Sequence, residues 1–267
     1  MKKLSYIMSL LILCFSLYGL EKTGFNTLNK GTLKVGTSLT NPPFVQMLYG
    51  QRVGFEVDLM DAICKILNLK YELVDARANE LFSGLENQKY DVIMGGLAIT
   101  ETRQRQIDFS TPYMNANLVL IISKLKNPNL KAIADLKGKV VGVLSGTSDE
   151  NPAQKMLDDH LFGRIMSYPF GKLSDAIKDL EKGQIDAVMT LSPVANSILK
   201  TKRSFTILGT IPNVTQPLAF GFSKKNPELL AVFNKALTRI QDNGTYAKIY
   251  KKWFKESPQG ESPKSNL

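Results

Sequence analysis

At 267 residues and 43% hydrophobic content, the chain can bury a sizeable core and is too apolar to be disordered throughout. Its net charge of +10 could draw acidic partners, but the lysines are scattered rather than blocked, and nothing else supports nucleic acid. With two cysteines and one histidine, no cluster of Cys, His and acids has metal-ligand spacing, and neither phosphate-loop nor dinucleotide glycine patterns occur.

Lys2 and Lys3 followed by an apolar run from Leu4 to Leu20 read as a secretory signal peptide over residues 1–20. An uncleaved anchor is the alternative, because Leu17 and Tyr18 are larger than cleavage-site residues usually are. Removing the leader deletes those two lysines and no acid before Glu21, taking the charge from +10 to about +8. It also deletes Cys14, and Cys64 alone cannot form an internal disulfide, so it is expected to be a buried thiol.

The remainder alternates strands and helices. Thr32–Thr37 is expected to be a strand, ended by the rigid Asn41-Pro42-Pro43 turn, with a second turn at Gly50–Arg52. Apolar residues at helical spacing predict a helix over Phe55–Leu67, with Glu56 and Asp58 suited to the positive end of its dipole. Tyr71–Val74 is the next strand, Leu81–Gln88 a short helix, and Asp91–Met94 a buried strand that breaks at Gly95–Gly96. Thr100 is a plausible helix N-cap, so the backbone amides that follow, together with Arg103, could receive a small anion or a carboxylate. The alternative is that Arg103 is a solvated surface residue.

Leu118–Ile122 is β-rich, and Lys124–Lys131 reads as the crossing into a second unit. There the predicted elements are a strand at Lys139–Leu144, a Ser145-Gly146-Thr147-Ser148 turn, a helix over Pro152–His160, and a strand at Ile165–Phe170. A helix at Leu173–Lys182 and a strand at Ile185–Thr190 follow. The Ser-Gly-Thr-Ser turn is a second possible anion cradle, or simply an ordinary strand-to-helix turn. After Pro193 come a helix, a strand near Phe205–Gly209, and a strand at Leu218–Phe222 that returns to the first unit. Helices at Pro227–Asn243 and Thr245–Lys255 close the fold, ahead of a polar tail, 256–267, expected to be disordered. The order of elements argues for an α/β architecture with mostly parallel sheets, whose ligands sit at the carboxyl ends of the strands. His160 has no nucleophile partner in any recognisable motif, so no catalytic residue is assigned.

The run Gly54-Phe55-Glu56-Val57-Asp58-Leu59, continuing to Ile63, Cys64 and Leu67, resembles the signature of the bacterial extracellular solute-binding proteins of family 3, receptors of ABC importers for polar amino acids. Pro42-Pro43-Phe44, the Gly96–Arg103 segment, Ile107-Asp108-Phe109-Ser110, Lys137–Thr147 and Asn243-Gly244-Thr245 through Trp253 occur in that family's order. The resemblance implies a type II periplasmic binding protein fold: lobe 1 over 31–118 plus 217–255, lobe 2 over 122–213, a two-strand hinge, and a ligand cleft between the lobes. It implies a periplasmic monomer without cofactor that captures an amino acid or related small carboxylate and delivers it to a membrane permease.

Carried over position by position, the resemblance has Arg103 grip the ligand α-carboxylate from a solvated cleft. The Thr147 backbone N–H meets the same carboxylate, Ser145 and Gly146 shape that turn, and the Gly96 carbonyl accepts from the α-ammonium. Phe44 belongs to the Pro-Pro-Phe element at the site. Other positions depart from the family pattern. Ala98 stands where relatives carry Ser or Thr, Leu191 where an aspartate pairs with the ammonium, and Asn41 and Ala78 where aromatics are expected. A buried ammonium without its carboxylate is costly, so the ligand either lacks a standard amino group or is held by substitutes such as Glu80, Asn41, Thr190 or Gln216. Two alternatives are a dehydratase-like enzyme on the same scaffold, with Glu80 or Glu101 as acid or base, and a ligand sensor.

Overall fold

The computed structural model describes residues 24–255 and Pro258. The expected leader therefore lies outside the described residues, as does the expected tail apart from Pro258.

Two five-stranded sheets organise the chain. In the first, Thr32–Thr37 pairs in parallel with Lys70–Asp75 on one side and with Val92–Met94 on the other. Val92, Ile93 and Met94 are fully buried, as the central strand of a sheet covered on both faces requires. Gly221–Phe222 then adds antiparallel beside Val92–Ile93, with Asp108–Phe109 at the edge. In the second sheet Arg164–Tyr168, Val140–Leu144 and Ala187–Leu191 run parallel, followed by Met114–Ser123 and Phe205–Leu218, each antiparallel to its neighbour.

The helix Phe55–Leu67 forms where the apolar spacing places it and ends on Asn68 in the left-handed conformation (φ 53°). Phe55, Leu59, Met60 and Ile63 are fully buried. The Phe55 ring lies edge-on to Tyr113, Tyr246, Tyr250 and Phe254 at 5.0–6.1 Å, tying the C-terminal helix Thr245–Phe254 to the first sheet. Gly54 is required just ahead of it, because a Cβ there would stand 1.9 Å from the Phe44 carbonyl oxygen. The Phe55 and Glu56 amides donate to the Pro43 and Phe44 carbonyls at 2.9 and 3.1 Å, so that backbone cannot move aside. Gly54→Ala is therefore expected to cost about 1–3 kcal/mol, read as a lowered denaturation midpoint.

Three expectations change in detail. Gly50–Arg52 is not all turn: Val45–Leu48 and Gln51–Val53 form a hairpin around Tyr49 (φ 50°) and Gly50 (φ 75°), and Thr40–Asn41 makes it a third small sheet. The expected strand Leu218–Phe222 is split. Leu218 ends the long strand of the second sheet, the Ala219 and Phe220 amides turn to the Leu97 carbonyl and Ser110 hydroxyl at 3.0 Å each, and only Gly221–Phe222 joins the first sheet. The helix expected over Pro152–His160 runs from Glu150 to Asp158, beginning directly after the Ser-Gly-Thr-Ser turn.

Candidate functional site

A cleft lies between the two sheets, at the carboxyl ends of Val92–Met94, Val140–Leu144 and Ala187–Leu191. Of the residues singled out from sequence it brings together Arg103, Thr147, Gly96, Ala98, Asn41, Ala78 and Leu191. Among the suggested substitutes, Asn41 and Thr190 line it, whereas Glu80 and Gln216 do not.

Arg103 is placed by the short helix Glu101–Gln106, whose N-cap Thr100 accepts from the Arg103 amide at 3.3 Å. Its Nη1 donates to the Ala98 carbonyl at 2.8 Å, and its Nη2 crosses to the Gly146 carbonyl of the second sheet's turn at 3.0 Å. The guanidinium also lies over Phe82 and Phe170, 5.2 and 5.9 Å from their ring centroids. The residue lines the cleft at only 8% exposure, so it is not the solvated surface residue of the alternative reading. Burial lowers its pKa to about 10, with the nearby charge of Asp149 acting against that fall.

Ala98 contributes its carbonyl and no hydroxyl. Gly146, at φ 72°, turns its carbonyl toward Arg103 and its amide to Glu150 Oε2 at 3.0 Å, so the anticipated anion cradle presents an acceptor to the guanidinium. The Thr147 hydroxyl donates to the Leu144 carbonyl at 2.7 Å and accepts from the Asp149 amide at 3.3 Å, holding the turn from within. Ser145 faces away, bonded to the Tyr168 carbonyl through its hydroxyl at 3.1 Å and its amide at 2.8 Å, and does not line the cleft.

The diglycine floor is shaped by Phe44 and Glu56. Gly96 (φ 70°) rests on Phe44 so closely that a Cβ would meet the ring at 2.5 Å. Phe44 is fully buried beneath the floor and does not line the cleft. The Gly95 carbonyl accepts from Asn41 Nδ2 at 2.7 Å. Below it the fully buried Glu56 accepts from the Gly96 amide at 3.1 Å and from the Tyr113 hydroxyl at 2.5 Å, and the Tyr113 carbonyl accepts from Tyr246. Burial pushes Glu56 up to about 7 despite the Tyr113, Gly96 and Gly95 donors.

Two acids at this site escaped the sequence reading. Glu56 was read as a dipole partner, and its sequence neighbours do not separate it from Asp58, which lies between Val57 and Leu59 on the same helix and is not buried. Asp149, directly after the second turn, lines the cleft at 6% exposure and accepts from the Ser148 hydroxyl at 3.3 Å. Burial pushes it up to about 7, against the pull of Ser148 and Arg103. Among the described residues no His, Cys, Asp and Glu side chains group as metal ligands.

The profile of the family described as bacterial extracellular solute-binding proteins, family 3, matches residues 33–256. ABC transporter arginine-binding protein 1 of Escherichia coli is 33% identical over 261 residues, covering 95% of this chain and 99% of that protein. The solved structure of an ancestral arginine-binding protein bound to arginine is 38% identical at a TM-score of 0.75, over 84% of this chain and 98% of that one. The ancestral amino acid-binding protein AncCDT-1, described as a precursor of cyclohexadienyl dehydratase, is 33% identical at a TM-score of 0.74, over 84% and 96% of the two chains. The chain therefore belongs to the bacterial extracellular solute-binding proteins, family 3.

Proposed function

We propose that this protein captures an amino acid or a closely related small carboxylate outside the cytoplasm and delivers it to the permease of an ABC importer. The observation that carries this reading is Arg103: it is rooted in the first sheet, lines the cleft, and reaches a carbonyl of the second sheet. A planar fork so placed suits a carboxylate, and approach of the second sheet encloses whatever it holds. Thr147 and Gly96 belong to the same site in this reading, the Thr147 backbone N–H donating to the carboxylate and the Gly96 carbonyl accepting from a ligand donor. Ala98 and Leu191 leave the family's usual ammonium clamp missing. The relatives are named for binding and transport, and the reading includes a periplasmic monomer that does not turn its ligand over. Glu80 and Glu101, suggested as acid or base for an enzyme, are not among the cleft-lining residues.

A thermal-shift screen of the protein against the amino acids, their deaminated analogues and dicarboxylates tests this, with each hit checked for turnover by mass spectrometry. A ligand that binds only the native state raises the melting temperature by linkage, about 2.7 kcal/mol of stabilisation at one hundred times Kd. A hit recovered intact is the expected result. Conversion of the hit would move the enzyme to first place, and no hit in the panel would sink the reading.

A further inference from the structure

Among the described residues that line the cleft, only Arg103 and Asp149 have side chains of the charged types. Both are more than nine-tenths buried, and among the described residues they do not meet as an ion pair: Arg103 is bonded to two carbonyls, Asp149 to the Ser148 hydroxyl. The cleft thus holds one positive and one negative group, each inside a low-dielectric wall and each short of a counter-charge in contact. Burial moves both toward their neutral forms, as such a shortage requires. The position where the family's aspartate is expected supplies none, because Leu191 stands there and is 8% exposed.

We propose that Asp149 is the cation acceptor of this cleft and that the ligand is a net-neutral zwitterion, its carboxylate on Arg103 and its positive nitrogen on Asp149. This rests on the reading that the cleft receives a carboxylate-bearing solute, and it adds the second charge. The rest of such a ligand meets Leu81, Leu97, Leu144, Phe170 and Val194, which suit an uncharged side chain. A second positive charge, as on arginine, would enter the cleft without a second acid, and a second carboxylate without a second base. Either surplus disfavours binding because a buried charge needs a partner. Asp149 therefore turns the site away from the cationic ligands for which several relatives are named.

Isothermal titration calorimetry decides the matter with leucine and other neutral amino acids, 4-methylpentanoate (leucine without its amino group), arginine and glutamate. They are titrated into the wild-type protein, Asp149→Asn and Arg103→Ala. In the wild type a neutral amino acid is expected to bind about 100-fold more tightly than its deaminated counterpart, arginine or glutamate. Asp149→Asn is expected to bring a neutral amino acid and its deaminated acid within a fewfold of each other. The inference is overturned by 4-methylpentanoate matching leucine in the wild type, by arginine binding more tightly than every neutral amino acid, by absence of binding of any neutral amino acid, or by Asp149→Asn keeping the preference intact. Should that variant not fold, the wild-type contrast between leucine and 4-methylpentanoate still decides. Binding that survives in Arg103→Ala would sink the carboxylate reading itself, whereas carboxylate binding that needs Arg103 and ignores Asp149 sinks only this inference.

Discussion

Arg103→Ala is expected to weaken ligand binding by at least about 30-fold in a calorimetric titration. The guanidinium is buried and already oriented by the Ala98 and Gly146 carbonyls, so a carboxylate that reaches it gains a charge-assisted pair at little entropic cost. Loss of one partner from such a pair costs about 2–5 kcal/mol, which is roughly 30-fold to several-thousand-fold in affinity. The same substitution leaves two carbonyls without their donor, so the melting temperature of the free protein should fall modestly. Arg103→Lys keeps the charge and loses the fork, and an intermediate affinity is expected. An unchanged Kd in Arg103→Ala would end the assignment of this residue.

Glu56→Ala is expected to destabilise the protein by about 3–5 kcal/mol, since the Tyr113 hydroxyl and the Gly96 amide lose their acceptor inside a packed core and a void replaces the side chain. The intact residue also sets a pH dependence whose sign follows from its environment. Its folded pKa lies above the ordinary value, about 7 against 4.5, so the folded chain holds the proton more tightly than the unfolded one. The stability associated with that proton is complete below about 4.5 and is lost as pH rises through about 7. The loss is roughly 3 kcal/mol at about 1.4 kcal/mol per pH unit of the interval. Asp149, raised from 3.8 to about 7, acts in the same direction. Urea midpoints measured from pH 4.5 to 8 should fall with rising pH, and Glu56→Gln and Asp149→Asn should each flatten part of the slope. A wild-type profile rising across that interval, or a slope untouched by both variants, would show that these acids are not the titrating groups.

Local pattern was enough for some of this architecture and silent on other parts. Thr32–Thr37, Phe55–Leu67 and Leu173–Lys182 were legible to the residue, because an apolar period with clear punctuation determines them. The split after Leu218 was not, since it depends on Leu97 and Ser110 capturing the next two amides from far along the chain. The small hairpin was missed because Tyr49 adopts a positive φ beside Gly50, a pairing that composition does not announce. At the site, the resemblance supplied Arg103 and part of the lining, while hydrogen bonds and burial reveal what it lacked. Phe44 supports the floor rather than the ligand, Ser145 belongs to its neighbouring strand, and Glu56 and Asp149 matter because tertiary packing removes them from water.

The strands Met114–Ser123 and Phe205–Leu218 are hydrogen-bonded to one another from the Met114–Leu218 pair to the Ser123–Phe205 pair, with register breaks between Ile207 and Gly209 and between Thr210 and Thr215. Ala187–Leu191 braces this pair only along Leu118–Ile122, so Met114–Asn117 opposite Thr215–Leu218 runs on as a two-stranded ribbon with no third strand beside it among the described residues. A change of angle between the two sheets would fall on this unbraced stretch, beside the register break between Thr210 and Thr215.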